Sequence, residues 1–226
     1  MNGKREDNLN RLNTTDIKSY NKDYLVYYYL YKSLKLAIEK YATGSLLDIG
    51  CGNKPYAHWL SPFITKHSGC DIVQSSENTV DIICEAQKIP LADNSFDTIF
   101  CTQTIEHVGD YQQMVNEAYR LLKPGGYFIV SGPMYWPLHE EPYDFFRFTK
   151  YGFERTLTNS GFECIEVSPN GGKWALLGQV IIQTLPDILT FPKAFKSIHN
   201  LFFKFLDGKF FNPGNTMNYV AIGRKN

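Results

Sequence analysis

The stretch Leu46-Leu47-Asp48-Ile49-Gly50-Cys51-Gly52-Asn53-Lys54-Pro55 decides how the chain folds. A short apolar run reaches an acidic residue, and two glycines then turn the backbone toward a following helix. Glycine takes φ > 0 cheaply and lets a ligand approach the main chain. The turn looks like a nucleotide-binding loop but departs from the dinucleotide fingerprint at two points. Pro55 stands where the third glycine of G-x-G-x-x-G belongs. Asp48 sits near the turn, where a carboxylate repels a pyrophosphate and suits a cation. These residues predict a nucleoside ligand that carries positive charge.

At 226 residues the chain most simply forms one domain with a substantial core. Hydrophobic residues at 43% and charged residues at 20% mark an ordinary globular protein and exclude a disordered one. Formal net charge is zero and no Lys/Arg run is interleaved with aromatics, so nucleic acid is not expected as a partner. The five cysteines, Cys51, Cys70, Cys84, Cys101 and Cys164, are odd in number and contain no C-x-x-C pair. A zinc site needs closer ligand pairs. They read as buried, reduced thiols packed as small hydrophobes, and no metal is expected. Met1 to Ser19 is polar without an apolar signal-peptide core, which makes cytoplasmic residence the expectation.

Residues 1–44 form an N-terminal extension and helix, and 45–226 the main domain. Leu25, Tyr28, Tyr29, Leu34, Ile38 and Tyr41 recur near helical spacing over Tyr20–Tyr41, with Gly44 as a stop. Short apolar runs follow at Leu46–Ile49, Gly69–Val73, Val80–Cys84, Thr98–Thr102, Tyr127–Ser131, Phe162–Val167 and Asn218–Gly223. Helical patterns lie at Tyr111–Leu122, ended by Lys123-Pro124-Gly125-Gly126, and at Thr149–Ser160, ended by Gly161. Strands alternating with helices imply a parallel sheet covered on both faces. An apolar insertion, residues 171–213, precedes the last run. Gln183, Pro186, Asp187 and Pro192 interrupt it before it reaches the ~20 apolar residues of a membrane span. It reads as core packing or a dimer surface, as a cover over the site, or as a seat for a lipid-linked acceptor. Phe202, Phe203, Phe205, Phe210 and Phe211 beside Lys196, Lys204 and Lys209 leave peripheral membrane contact open.

In an open α/β sheet, ligands bind beyond the carboxyl ends of the strands. Asp71 stands at such an end, 21 positions past Gly50, a separation at which an acid can hold ribose hydroxyls. Taken alone it also reads as a helix cap or a solvated acid. The order LLDIGCGNKPY, GCDIV, CEAQKIPLADNSFDTIF, TQTIEHV and LLKPGGYFIVSGP, over roughly Ser45 to Val167, resembles class I S-adenosylmethionine-dependent methyltransferases, most closely the type 11 group. The resemblance implies a Rossmann-like α/β fold: a seven-stranded, mostly parallel sheet, an antiparallel last strand, and helices on both faces. It implies S-adenosyl-L-methionine as cofactor and S-adenosyl-L-homocysteine as product. Asp48, Gly50, Cys51 and Gly52 would form the methionine-side turn, with Asp48 receiving the amino group directly or through water. Asp71 would hold the ribose with Ile72 beside it, and Glu85 and Ala86 would flank the adenine, where the family more often has Asp-Ala. Thr102 and Gln103 would lie beneath the methyl group, and Glu106-His107-Val108 resembles the family's L-E-H-V segment, with His107 near the cofactor. Structurally, Pro124-Gly125-Gly126 reads as a turn, Glu106 as a cap or brace, and His107 as a packed core histidine.

The acceptor side is read from Ser131 to Phe148, which gathers an imidazole, three carboxylates, a guanidinium and several rings. Carboxylates accept from hydroxyls and aromatic faces cover apolar ring surfaces, so the mixture suits a polyhydroxylated ligand. The segment is similar to a W-P-x-H-x-x-P-x-D-F-x-R-x-T stretch of methyltransferases encoded with bacterial surface-polysaccharide genes. Tyr135, His139, Glu140, Tyr143 and Arg147 are the substrate-binding candidates. The alternative is a structural lid, with Asp144 and Arg147 paired across one helical turn. An alcohol acceptor must lose a proton, and His139, then His107, with Asp144 as orienting or alternative base, are the catalytic candidates. The expected activity is O-methylation of a sugar or small hydroxylated metabolite by a monomer or homodimer. C- or N-methylation and a catalytically silent cofactor-binding partner stay open, while Pro55 disfavours an NAD-type oxidoreductase.

Overall fold

The computed structural model describes residues 15–186 and 192–226. Most of the polar lead-in, residues 1–14, and the chain-breaker Asp187 lie outside them. The elements run α1 (Tyr24–Tyr41), β1 (Gly44–Ile49), α2 (Ala57–Leu60), β2 (Ile64–Asp71), β3 (Ile82–Ile83) and β4 (Phe96–Thr102). A 3-10 turn (Ile105–His107) leads to α3 (Tyr111–Leu121), β5 (Leu122–Pro133), α4 (Lys150–Asn159) and β6 (Glu163–Asn170). Then come α5 (Lys173–Thr184), α6 (Lys193–Lys209) and β7 (Asn218–Arg224).

The seven strands form one sheet in the order β3-β2-β1-β4-β5-β7-β6. β1 to β5 pair in parallel, whereas β7 inserts between β5 and β6 and runs antiparallel to both. This is the architecture expected from the sequence. Alternate side chains of the central strands feed two cores, as a period of two requires. Leu47, Ile99, Phe128 and Val130 face α3 and α4. Leu46, Phe100 and Ile129 face Leu30, Leu34 and Ile38 of α1.

Several boundaries differ from the apolar runs. β2 starts at Ile64, because its polar residues Thr65 and Lys66 face solvent at a strand end that an apolar search passes over. β5 already pairs at Leu122, so the Lys123–Gly126 cluster is a bulge inside a strand rather than a turn before one; the register shifts opposite Phe96/Thr98, and Gly125 takes φ +84°. β3 is only two residues long.

The insertion folds as a helical hairpin held against α1. Gly178 lets α5 approach α6: a Cβ there would lie 2.5 Å from the Phe203 ring. Asp207 of α6 is fully buried and accepts the backbone N–H groups of Gly172, Trp174 and Ala175 at 2.9, 3.2 and 3.1 Å. It thereby satisfies the orphan donors at the start of α5, a service usually given by a residue within the helix's own cap. Asn200 donates to the carbonyls of Ser19 and Asn21 at 2.8 and 2.9 Å, tying the hairpin to the approach of α1. Phe202, Phe205, Phe210 and Phe211 remain exposed. No helix among the described residues is long and apolar enough to cross a membrane. All five cysteines are free; Cys51, Cys70 and Cys101 are buried as expected, but Cys84 and Cys164 only partly so.

Candidate active site

The carboxyl ends of β1, β2 and β4 meet at one edge of the sheet. Gly50 and Gly52 adopt φ +74° and +48°, the left-handed values that the turn demands. The N–H groups of Gly50 and Cys51 both donate to the Cys70 carbonyl, at 2.8 and 3.1 Å, which pins the turn to β2. A Cβ on Gly50 would collide with the Thr104 side chain. Asp71, 8% exposed, accepts from the N–H of Gly52 at 3.1 Å and of Ile72 at 2.7 Å. Two backbone donors fix its carboxylate at the turn.

Asp48 lies beneath the turn, 2% exposed and 3.4 Å from His67 Nε2. Burial pushes its carboxyl above the usual range, against the pull of His67. The sequence does not single out His67, because no motif links a polar residue in mid-β2 to β1. Cys51 is buried and its thiol faces the Gly52 carbonyl, so it contributes to the turn through its backbone. Ile72 and Glu85 are exposed and Ala86 half-buried around the mouth of β2 and β3. The donor set fits S-adenosylmethionine: an acid under the turn for an amino group, a fixed acid for a diol, and apolar side chains for a base.

At the end of β4, Thr102 Oγ1 and Ser131 Oγ lie 2.6 Å apart, and Gln103 Nε2 donates to Ser131 Oγ at 3.1 Å. Gln103 has φ +52°, a conformation that costs a non-glycine residue about 1 kcal/mol or more and is concentrated at functional sites. Ser131 escapes a sequence reading because nothing in its local pattern separates it from other strand serines.

Beyond this edge the 134–149 segment folds back over the sheet as irregular chain. Asp144 and Arg147 do pair, at 2.6 and 2.7 Å in a two-pronged contact, but no helical turn carries them. Arg147 also donates to the carbonyls of Trp136, Phe146 and Pro137, so its guanidinium is committed to shaping the segment. Asp144 accepts further from His139, through the backbone N–H and Nδ1, both at 3.1 Å. Burial opposes ionisation of Asp144, yet Arg147 and the His139 N–H outweigh it and hold the carboxyl at about 2. Burial, reinforced by His107, lowers the His139 imidazole below its ordinary value.

The His107 and His139 rings meet edge to face with centroids 4.7 Å apart. His107 Nδ1 lies 3.0 Å from the Tyr143 carbonyl. It is thus a packed, hydrogen-bonded histidine that also lines the cavity described below. Glu106 braces the segment through its backbone, its carbonyl accepting the Phe145 N–H at 3.0 Å, but neither oxygen of its carboxylate has a hydrogen-bond partner, although the residue is only 1% exposed. Burial pushes this carboxyl up to about 8. A cavity of about 40 Å³ gathers Gln103, Glu106, His107, Trp136, His139 and Glu140, with Val26, Tyr27 and Leu30 of α1 as its far wall. That wall is not legible in the sequence, since it depends on where a helix more than 70 residues upstream docks. Tyr135 and Tyr143 are exposed and do not line this cavity; the Tyr143 carbonyl meets His107.

Sheet order, the glycine turn and the acid ending β2 define the fold class of the class I S-adenosylmethionine-dependent methyltransferases. Residues 47–130 are similar to the Methyltransf_11 family, described as a methyltransferase domain. A "Probable S-adenosylmethionine-dependent methyltransferase" of Mycolicibacterium smegmatis is 34% identical over 96 residues, which is 39% of this chain and 37% of that protein. The chain therefore matches well under half the length of that curated relative. Among solved structures, phosphoethanolamine N-methyltransferase 2 of Haemonchus contortus, in complex with S-adenosyl-L-methionine, shares the fold at TM-score 0.53 and 21% identity, over 85% of this chain and 52% of that one. The [4+2]-cyclase SpnF shares it at TM-score 0.55 and 17% identity, over 85% and 80%.

Proposed function

We propose that this chain transfers a methyl group from S-adenosylmethionine to a hydroxyl oxygen of a sugar or another small hydroxylated metabolite. One observation carries the reading: the cofactor-type turn and a pair of oriented imidazoles occupy the same sheet edge. When bound, the cofactor supplies a methyl carbon already activated by its sulfonium. Asp71 holds the ribose hydroxyls, Asp48 receives the amino group directly or through water, and Ile72, Glu85 and Ala86 border the adenine. Thr102 and Gln103 floor the transfer position. Tyr135, Glu140 and Tyr143 offer a ring-and-carboxylate rim to the acceptor, while Arg147 positions rather than contacts.

Methyl transfer gains chiefly from proximity and alignment. The acceptor must also lose its hydroxyl proton, and the imidazole nitrogens facing the cavity are the groups placed to engage it, His139 ahead of His107. Asp144, strongly acidic and saturated with hydrogen bonds, orients His139 instead of taking a proton itself. The reduced cysteines suit a cytoplasmic setting. The fold shared with SpnF, a [4+2]-cyclase, favours one other reading, a cofactor-binding protein that transfers no methyl group.

The test is S-adenosylhomocysteine release with a panel of glycans and small alcohols, read by mass spectrometry of both products. Wild-type protein should methylate at oxygen, and His139→Ala should lower kcat about 100-fold or more with cofactor affinity retained. Undiminished turnover by His139→Ala contradicts the assignment.

A further inference from the structure

The geometry points to a divalent-metal site built from Glu106, His107 and His139, joining the turn after β4 to the 134–149 segment. One ligand atom from each of the three lies within 4.8 Å of the other two. Both rings are set in the tautomer a metal needs. The Tyr143 carbonyl can only accept, so His107 carries its hydrogen on Nδ1; ionised Asp144 fixes the same tautomer on His139. Nε2 of each ring is left with its lone pair. Metal-bound histidines typically use a carbonyl or carboxylate on the second nitrogen in this way. Arg147 in turn locks Asp144, so the supporting shell is complete without an ion.

Glu106 supplies the independent observation. Its carboxylate is 1% exposed and unpartnered, with Oε1 3.9 Å from His107 Nε2. A buried carboxylate without a partner costs stability, and a cation facing it removes that cost. A tetrahedral ion with bonds of about 2.0–2.1 Å sets its donors about 3.4 Å apart, so modest side-chain rotation closes the site. The cavity of about 40 Å³ exceeds the ~30 Å³ share of one water, room for an ion and a small oxygen ligand. Two imidazoles and one carboxylate select Zn²⁺ or another first-row divalent ion over Mg²⁺ or Ca²⁺, which prefer oxygen alone. Glu140 Oε2, also 3.9 Å from His107 Nε2, stands beside the remaining coordination positions.

Ion binding stands on these side chains alone; its use on an acceptor hydroxyl rests on the methyl-transfer reading. The Nε2 lone pairs cannot both hold an ion and take a proton. In the loaded protein the ion polarises the hydroxyl, whose proton passes to Glu140 or water. The oxygen lone pair forms the new O–C bond, the C–S pair stays on sulfur, and the metal keeps its oxidation state.

The test is titration of the chelator-stripped full chain with Co²⁺, read by visible absorption, followed by displacement with Zn²⁺. One equivalent of Co²⁺ per chain is expected, with at least tenfold weaker binding in Glu106→Gln, His107→Ala and His139→Ala. Asp144→Asn should weaken it by about 10-fold, as loss of supporting contacts does. Glu106→Gln keeps the side-chain shape and removes the buried ionisable carboxyl, so its ion-free thermal midpoint should not fall below wild type. Sub-stoichiometric Co²⁺, or a spectrum unchanged by Glu106→Gln and His139→Ala, overturns the site. S-adenosylhomocysteine calorimetry on the same samples separates the two readings: Co²⁺ binding without cofactor binding leaves the metal site standing and sinks the methyl-transfer reading, and the converse does the reverse.

Discussion

Gly50 shows how much one residue decides. Its φ of +74° and the Thr104 side chain against its missing Cβ impose two separate penalties on any replacement. Gly125 makes a natural control, because it has φ +84° and a Cβ added there would meet nothing within 4 Å. Gly125→Ala should cost about 1–2 kcal/mol of backbone strain and leave cofactor affinity alone. Gly50→Ala should cost more and weaken S-adenosylhomocysteine binding at least tenfold, measured by thermal unfolding and ligand titration on both variants. Equal stability losses with equal affinity would show that the turn does not shape the cofactor site. Gly50 and Asp71 are legible in the sequence because their roles are local: a turn conformation and a strand end. Glu106 is not, because its lack of partners is a property of everything that surrounds it. Arg147 misleads for the same reason: a guanidinium near a site looks free until the carbonyls of Trp136, Phe146 and Pro137 are seen to consume it.

Among the elements, the strongly periodic ones match their patterns closely: α3 and α4 fall within a residue or so of them, since an amphipathic stripe marks both and Gly161 stops α4. Strand limits drift where polar residues continue a ladder, as in β2, or where glycines form a bulge, as in β5. The insertion's own logic is hidden. Its key is Asp207, an acid inside an apolar stretch that caps a helix more than 30 residues away. Asp207→Ala leaves three buried N–H groups without an acceptor and should lower unfolding free energy by about 2–3 kcal/mol. Denaturant unfolding of the variant measures it, and a loss under about 0.5 kcal/mol would mean that the hairpin docks by apolar contact alone.

Across the whole molecule, the sheet order brings the ends of β1, β2 and β4 to one edge, and two other pieces of chain close it: the 134–149 segment above, and α1 behind. The parallel sheet and the glycine turn at its edge are legible because they follow from alternating runs and loop chemistry. The closure is not, because it joins residues from distant parts of the chain. The fold admits more than one reaction, as SpnF illustrates, so the central claim concerns what the edge binds. Isothermal calorimetry with S-adenosylhomocysteine, run on wild type and Asp71→Ala with NADH as comparison ligand, tests it directly. The account predicts one saturable site for S-adenosylhomocysteine, affinity lowered at least tenfold by Asp71→Ala, and no heat of binding from NADH. Saturable NADH binding without S-adenosylhomocysteine binding, or identical affinity in Asp71→Ala, would contradict it.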